Sequence, residues 1–247
     1  TELGRDIRKA FRPQASGWKI LAADYSQIEL RLMAQYSKDK RLIEAFKNGE
    51  DIHTATAAHV FGTNLFGVSD DQRRRAKVVN FGIMYGAGPF RMSNELEISR
   101  GEAAELISDY FNTYPGIRNY LDETIEFARE NKFVQTLFGR KRPVPDIDAS
   151  NRMSREGAER IATNMPIQGT AADIIKLAMI QVHKRIKAEG LKSKMILQVH
   201  DELVFEVPDD EIETLTLLVR ETMEHAVDLD IPLTVDIGIG DNWLEAH

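Results

Sequence analysis

The chain has 247 residues, 43% hydrophobic and 29% charged, which is typical of a globular protein with one large domain or two modest ones. It contains no cysteine, which excludes disulfide bonds and thiolate chemistry, and no apolar run is long enough to cross a membrane. The formal net charge of -7 argues against a uniformly basic, nucleic-acid-binding protein. Basic residues nevertheless cluster at 5–12, 73–77 and 139–142, so phosphate binding stays open beside the simpler interpretation of solvated faces.

The first predicted element is a buried strand over 18–25, an apolar run that ends at Asp24 and Tyr25. Ser26 and Glu29 have the spacing of a capping box, and the pattern from there to about residue 133 is helical. Further helix starts in this stretch are predicted at Asp51, Ser69, Ser99 and Pro115.

The second half of the chain is predicted to return to strands. In order, the pattern predicts a small hairpin over 132–145, long helices interrupted at Pro166, a hairpin over 194–207, a helix over 209–229 and a strand over 233–239. Strands near both ends with helices between them favour an α/β unit that carries a largely helical insertion. The strands at 18–25, 194–207 and 233–239 are predicted to share one sheet.

The turn of the 194–207 hairpin is set by the alternation of its apolar residues. A two-residue turn would pair Val199 with Glu202 and separate the apolar residues of the two strands onto different faces. A three-residue turn over 200–202 would pair Val199 with Leu203 and unite them, and this is the favoured prediction; a β-bulge could have the same effect. Either turn places Asp201 at the tip, where aspartate is common for conformational reasons alone.

Asp24 and Asp201 each stand at the end of a predicted buried strand. If the strands are neighbours, the two carboxylates converge, and they cannot both be ionised without a counter-charge. Oxygen ligands favour Mg²⁺ over Zn²⁺, and two such ions about 4 Å apart support in-line displacement at phosphorus. The competing interpretation is a pair of unrelated aspartates at strand ends.

A helix beginning near Ser69 carries Arg73, Lys77, Phe81 and Tyr85 at intervals of four residues. This spacing places two cations and two aromatic rings on one face, suited to a triphosphate and to a base. A basic first turn that runs into core aromatics is the simpler alternative, although cations near a helix N-terminus oppose its dipole.

Five segments of the chain stand out together: "DYSQIELR" (24–31), "DIHTATAAHVFG" (51–62), "RRRAKVVNFGIMYG" (73–86), "NMPIQGTAADIIK" (164–176) and "QVHDE" (198–202). In order and spacing they resemble the motifs of family A DNA polymerases, the bacterial DNA polymerase I type. The resemblance covers essentially the whole chain, and five motifs in order make a chance match improbable.

The resemblance implies catalytic roles for Asp24, Asp201 and Lys77. The two aspartates match residues that hold two Mg²⁺ ions, for which Mn²⁺ can substitute, with the backbone carbonyl of Tyr25 as a further ligand. Glu202 is a possible additional ligand, ranked below the aspartates.

The resemblance also implies two sets of binding residues. Glu29 matches a steric gate against the ribose 2′-hydroxyl, although it could instead be the capping partner of Ser26. The implied nucleotide-binding residues are His53, Arg73, Lys77, Phe81, Tyr85, Gln27 and Glu29. The implied DNA-binding residues are Arg160, Asn164 and Gln168, which otherwise form a polar helix face, together with His200 and Arg74.

The implied fold is α/β (α+β), with an antiparallel palm sheet over 1–31 and 153–247 and mostly helical fingers over 32–152. The implied function is template-directed addition of deoxynucleotides to a primer 3′-hydroxyl in replication and repair, by a monomeric protein of the bacterial cytoplasm. Its partners would be primer–template DNA and a dNTP, without a membrane. Relative to the family, we expect upstream palm strands, a thumb and any nuclease domain to lie before Thr1. The alternatives are a two-metal nuclease and a truncated module that binds nucleotide or DNA without turnover.

Overall fold

The computed structural model describes residues 2–247, with side chains from residue 5 onward. In chain order, the first elements are α1 (Glu2–Lys9), β1 (Trp18–Tyr25), α2 (Ile28–Ser37), α3 (Lys40–Lys47), α4 (Ile52–Val60), α5 (Asp70–Met84), α6 (Pro89–Leu96), α7 (Arg100–Thr113) and α8 (Pro115–Asn131). They are followed by β2 (Phe133–Gln135), β3 (Lys141–Pro143), α9 (Arg152–Ala188), β4 (Lys194–Val199), β5 (Glu202–Pro208), α10 (Ile212–Glu224), β6 (Val235–Gly240) and α11 (Trp243–Ala246). The predicted mixture of sheet and helices is confirmed.

The chain divides into two compact units, which we call the sheet unit and the helical unit. The sheet unit comprises residues 1–28 and 171–247, and the helical unit comprises residues 29–170. The divisions therefore fall after 28 and 170, whereas the sequence predicted them after 31 and 152. The assignment of the two units to palm and fingers stays a prediction.

The sheet unit is built on a four-stranded sheet in the order β4-β5-β1-β6, and each neighbouring pair is antiparallel. The predicted common sheet is thus confirmed. Helix α10 packs against β1, β5 and β6, and the hydroxyl of Tyr25 on β1 donates to the carbonyl of Met223 on α10 at 2.6 Å. Helix α11 covers the other face, where Trp243 packs with Ile20, Ala22 and Val204. The inner strands are therefore buried on both sides, as their apolar sequences predicted.

The β4–β5 turn corrects the sequence prediction. Val199 pairs with Glu202, so the turn has two residues, and His200 within it adopts a positive φ of 54°. The three-residue turn is wrong because the ladder shifts register between Met195 and Leu197, which changes the face on which the apolar residues of β4 lie. The alternating apolar residues of the two strands consequently do not share one face; they are Met195, Leu197 and Val199 on β4 and Leu203, Phe205 and Val207 on β5.

Most of the local helix signals in the sequence were correct. Asp51, Ser69 and Ser99 accept backbone hydrogen bonds as N-caps, the last two in complete capping boxes, and Pro115 occupies the first turn of α8. Helix α2 begins at Ile28, two residues after Ser26, and the capping box at Ser26 stays a prediction.

The predicted break at Pro166 is wrong. Helix α9 continues through it. Proline removes one helical hydrogen bond and costs about 3 kcal/mol in an isolated helix. Here its flanks are fixed by burial of Ala162 and Ile167, and its carbonyl accepts a hydrogen bond from the Tyr36 hydroxyl at 3.1 Å.

The core of the helical unit includes a polar chain buried between helices. Thr56 on α4 donates to the side-chain carbonyl of Asn80 on α5 at 3.2 Å and lies 3.1 Å from the hydroxyl of Tyr114. All three side chains are almost fully buried, and this network fixes α4 against α5. Across the described part of the chain, no helix combines the length and the apolar character needed to span a bilayer.

Candidate active site

Carboxylates line up across the end of the sheet. In the ladder, Asp24 on β1 lies opposite Glu202 on β5 and opposite Asp236 on β6. The backbone N–H of Tyr25 donates to the backbone carbonyl of Asp201 at 3.2 Å, which ties the β4–β5 turn to the end of β1. The strand ends that carry Asp24 and Asp201 are therefore neighbours, as the sequence required for a shared site.

The surroundings of the two aspartates disfavour negative charge. Burial, reinforced by the charges of Asp201 and Glu202, raises the pKa of Asp24 to about 6. Burial likewise raises the pKa of Asp201. One carboxylate oxygen of Asp24, Oδ1, is buried without a hydrogen-bond partner among the described residues. A cation would satisfy that oxygen and restore both pKa values, so the donor set fits a hard divalent ion.

The rest of the predicted metal set is less complete. Within the described residues, no group of three or more His, Asp or Glu side chains is arranged to hold a metal ion. A metal ion at this site would therefore be held by the carboxylates of Asp24 and Asp201 and by the backbone carbonyl of Tyr25. The Tyr25 side chain itself is buried, and its hydroxyl is hydrogen-bonded to the carbonyl of Met223. The metal roles of these residues stay predictions.

Glu202 is the most buried carboxylate of the row, with 3% of its surface exposed. Its Oε1 accepts a hydrogen bond from the indole Nε1 of Trp243 at 2.8 Å and lies 3.3 Å from Nδ1 of His247. Neither partner could be recognised from the sequence, because both lie some forty positions away in the chain and belong to no motif. The predicted metal contact of Glu202 would have to use its other oxygen.

Two more predicted residues of the sheet unit occupy unusual backbone positions. Gln27, just before α2, has φ 53°, and His200 in the β4–β5 turn has φ 54°. Positive φ is uncommon for residues other than glycine and is often found near functional sites. His200 is exposed, and its predicted contact with DNA stays a prediction, as does the predicted nucleotide contact of Gln27.

In the helical unit, α5 presents the predicted stripe of cations and rings. Arg73 and Lys77 are exposed, and Phe81 and Tyr85 are half-buried. The planes of the two rings differ by only 16°, with centroids 6.4 Å apart. The four side chains therefore follow one face of the helix, the arrangement that the spacing predicted.

Arg73 has a partner that the sequence did not reveal. Its Nε and Nη2 donate to the two carboxylate oxygens of Asp51 at 3.2 and 2.8 Å. Asp51 also caps α4 by accepting from the backbone N–H of Thr54 at 2.7 Å. Burial alone would raise the pKa of Asp51, but the hydrogen bonds from Arg73 and Thr54 outweigh it and lower the pKa to about 2. Asp51 thus joins the start of α4 to the start of α5.

His53 differs from the exposed, cationic residue that triphosphate binding suggests. Its side chain is 3% exposed, its Nδ1 lies 3.0 Å from Nδ2 of Asn80, and its ring packs 5.7 Å from that of Phe81. Burial lowers the pKa of His53 to about 4, so the imidazole is neutral at pH 7. It could offer a phosphate an N–H group but no positive charge, and its predicted role stays a prediction.

Glu29 lies on the first turn of α2 and accepts a hydrogen bond from the hydroxyl of Tyr85. The alternative role of Glu29 as capping partner of Ser26 also stays a prediction, although the helix begins two residues after Ser26. Glu29 and the last residue of the stripe are therefore joined, which is consistent with the predicted gate.

Apart from His200, the predicted DNA-binding residues lie on two helices, α9 and α5, within the helical unit. Arg160 and Gln168 on α9 are exposed, and Arg160 passes over Gly86, where an added Cβ would lie 3.0 Å from its Cγ. Asn164, between them, has a buried Oδ1 without a partner among the described residues. Arg74 on α5 is exposed and paired with Asp71 at 2.7 Å. All four DNA contacts stay predictions.

These features define an α/β protein whose sheet carries an acidic site and whose helical unit presents cations beside aromatic rings. Residues 1–245 match DNA polymerase family A, and the chain belongs to this family. Members of the family depend on a metal ion, generally Mg²⁺.

Individual relatives are similar in sequence over almost the whole of this chain. DNA polymerase I of Caldicellulosiruptor bescii is 53% identical over 242 residues, which are 98% of this chain and 28% of that protein. The thermostable DNA polymerase I of Thermus filiformis is 50% identical over 246 residues, 100% of this chain and 29% of that protein. The chain thus spans less than a third of these relatives.

A solved structure shows the same fold. The POL domain of Pol1 from M. smegmatis, in complex with DNA primer-template and dNTP, superposes with a TM-score of 0.95 at 46% identity. The match covers 100% of this chain and 43% of that one.

Proposed function

We propose that the chain carries the nucleotidyl-transfer site of a DNA-directed DNA polymerase, which adds deoxynucleotides to the 3′-hydroxyl of a primer. The main support is the paired Asp24 and Asp201 at the end of the sheet, with an orphaned, buried Asp24 oxygen that calls for a cation. The relative from M. smegmatis, described in complex with DNA primer-template and dNTP, supports the same substrates for this chain.

In the proposed reaction the primer 3′-oxygen attacks the α-phosphate in line, a new P–O bond forms, and the bond to pyrophosphate breaks. Arg73 and Lys77, exposed on α5, would meet the negative charge of the triphosphate, and Lys77 would stabilise the charge that develops on the leaving pyrophosphate. Phe81 and Tyr85 would pack against the base, with Glu29 held beside Tyr85 to exclude a ribose 2′-hydroxyl.

Asp24 and Asp201, with the backbone carbonyl of Tyr25, are the groups that would hold two Mg²⁺ ions, or Mn²⁺ in their place. When bound, such ions supply Lewis-acid stabilisation of the attacking and leaving oxygens. Arg160, Asn164, Gln168, His200 and Arg74 would contact the DNA strands, mostly at the backbone and minor groove. A role in DNA replication and repair in the bacterial cytoplasm belongs to the same proposal.

The test is single-nucleotide extension of a labelled primer–template in Mg²⁺, with each dNTP supplied alone. The proposal predicts that only the nucleotide complementary to the template is added. A two-metal nuclease would instead shorten the primer in Mg²⁺ without nucleotides, and a binding module would shift the primer–template on a gel without changing its length. Either result, obtained with this chain, would contradict the proposal.

A further inference from the structure

Glu202 is a buried carboxylate on the strand next to that of Asp24, and its Oε1 lies 3.3 Å from Nδ1 of the ionisable His247. Its identified donor is the indole N–H of Trp243 at 2.8 Å. A buried carboxylate without a hydrogen-bond partner is strongly destabilising, so this hydrogen bond governs where the Glu202 side chain can lie.

Trp243 is itself fixed from several sides. Its indole is 7% exposed, the guanidinium of Arg8 lies 5.0 Å from the ring centroid, and Phe11 meets the ring edge-on at 5.4 Å. The backbone N–H of Trp243 donates to the carbonyl of Phe11 at 3.0 Å. The indole therefore has little freedom to follow Glu202 if that side chain moves.

The short helix α11 that carries Trp243 is pressed directly onto β6. A Cβ at Gly238 would lie 2.1 Å from the carbonyl oxygen of Ala246, and one at Gly240 would lie 2.5 Å from Cβ of Glu245. Only glycine permits this approach at both positions. Asn242 caps the helix by accepting from the backbone N–H of Glu245 at 3.1 Å. The close contact between α11 and the backbone of β6 consequently fixes the distance of Trp243 from the sheet.

We propose that Trp243 is a positioning residue for the acidic site: its indole N–H holds Glu202 in the carboxylate row beside Asp24 and thereby maintains the site's affinity for divalent cations. An indole N–H is a donor without charge. It orients the carboxylate without supplying a positive charge that would compete with a metal ion, as an arginine or lysine in its place would. This inference rests on the proposed function for the identity of the site.

The decisive variant is Trp243→Phe, which keeps an aromatic ring among Ile20, Ala22 and Val204 but removes the N–H donor. The matched control is Trp18→Phe, since Trp18 is the other tryptophan of the chain and stands at the opposite end of β1. Loss of a group that orients a metal-site carboxylate typically costs about 10- to 100-fold in metal affinity or activity. We expect Trp243→Phe to weaken Mn²⁺ binding, followed by electron paramagnetic resonance, by roughly tenfold, and Trp18→Phe to leave it unchanged.

A double-substitution cycle distinguishes positioning from general loosening of the fold. If Trp243 acts through Glu202, Mn²⁺ binding by Trp243→Phe combined with Glu202→Ala should be no weaker than by Glu202→Ala alone. Additive weakening, or unchanged binding by Trp243→Phe, would overturn the proposal. In primer-extension assays, Trp243→Phe should lower kcat. It should leave KM for the dNTP within about twofold of the parent value, because the residues that bind the dNTP are unchanged.

The indole N–H resonance of Trp243 gives a readout that needs no catalysis. It is identified by its loss in Trp243→Phe, and we expect it to shift in Glu202→Gln and to be protected from hydrogen exchange. If the chemical shift of this N–H is unchanged in Glu202→Gln, the hydrogen bond between Trp243 and Glu202 is refuted. Metal binding and this resonance are both measured without nucleotide, so they test the positioning role of Trp243 even if the chain does not extend a primer. Failure of primer extension would count against the proposed function and not against the positioning role.

Discussion

Asp51 shows how much one residue can contribute beyond its recognisable local role. Its sequence context identified it as a helix cap, and the structure adds a bidentate pair with Arg73. The two nitrogen atoms of Arg73 that face Asp51 leave Nη1 available, so the guanidinium can be oriented by Asp51 and still meet a phosphate. Asp51 is thus well placed to orient one of the predicted triphosphate-binding residues.

Asp51→Asn is predicted to lower stability in a pH-dependent way. Asparagine also caps helices, so the substitution removes mainly the ion pair, worth about 1 kcal/mol or less at a partly exposed site. The pKa of Asp51 is depressed from 3.8 to about 2, so its contribution is complete above pH 4 and disappears as the pH falls toward 2. Urea midpoints of the two proteins should therefore differ at pH 7 and converge in acid.

The matched control is Asp71→Asn, which removes the ion pairs of an exposed aspartate with Arg74 and Arg75 in the first turns of α5. It should lower the midpoint less than Asp51→Asn does. An offset between Asp51→Asn and the parent that persists undiminished in acid would show that the ion pair is not its source.

Glu29 gives a second prediction at the scale of one side chain. Glu29→Ala should raise incorporation of ribonucleotides relative to deoxynucleotides by about tenfold or more, equivalent to about 1.4 kcal/mol, because a gap replaces the carboxylate. Tyr85→Phe is the companion variant, since it leaves Glu29 in place and removes only the hydroxyl that donates to it. If Glu29→Ala discriminates between ribonucleotides and deoxynucleotides as well as the parent chain does, Glu29 is not a steric gate and only accepts the hydrogen bond from Tyr85.

Among the elements, those with local signals were predictable and those set by distant contacts were not. The caps of α5 and α7 are encoded within four residues, and so the sequence located them correctly. The two-residue turn between β4 and β5 depends on a register shift at Met195 and Leu197, which no alternation pattern discloses. The continuity of α9 through Pro166 depends likewise on tertiary packing, which outweighs the local preference.

The same distinction applies to the site. Asp24 was found because it stands at the end of a buried strand, and Asp201 because it stands in the turn before the buried strand β5; both also lie in motifs. Trp243 and Asp51 were missed as partners because a hydrogen bond between residues far apart in the chain leaves no periodicity to detect. The burial of His53 was missed for a related reason, since it follows from the packing of α4 on α5.

The contact of α11 with β6 can be tested as an element. Gly238→Ala would place a methyl group against the Ala246 carbonyl. Overpacking of this kind destabilises the folded state by about 1–3 kcal/mol. We predict a corresponding fall in the free energy of unfolding, measured by urea denaturation. Gly101→Ala, in the first turn of α7 with only a side-chain oxygen at 3.8 Å, should be neutral or slightly stabilising. Equal effects of the two would contradict the close docking of α11.

At the scale of the whole molecule, the chain distributes the predicted machinery over two units. The carboxylates belong to the sheet unit, and the α5 stripe, Glu29 and the predicted DNA-binding part of α9 belong to the helical unit. This distribution explains why an acidic protein can still be expected to bind nucleic acid: the net charge of -7 sums over regions with different tasks. The local arrangement of charge, and not the total, carries the prediction.

The most direct test compares primer extension in Mg²⁺ by the chain with extension by Asp24→Asn and Asp201→Asn, at saturating dNTP. Asp209→Asn is the control, since Asp209 is exposed beyond the far end of β5. The account predicts that each of the first two substitutions abolishes extension, because neither amide can supply the negative charge that holds a cation, while Asp209→Asn extends normally. Extension that survives either substitution would contradict the assignment of the acidic site.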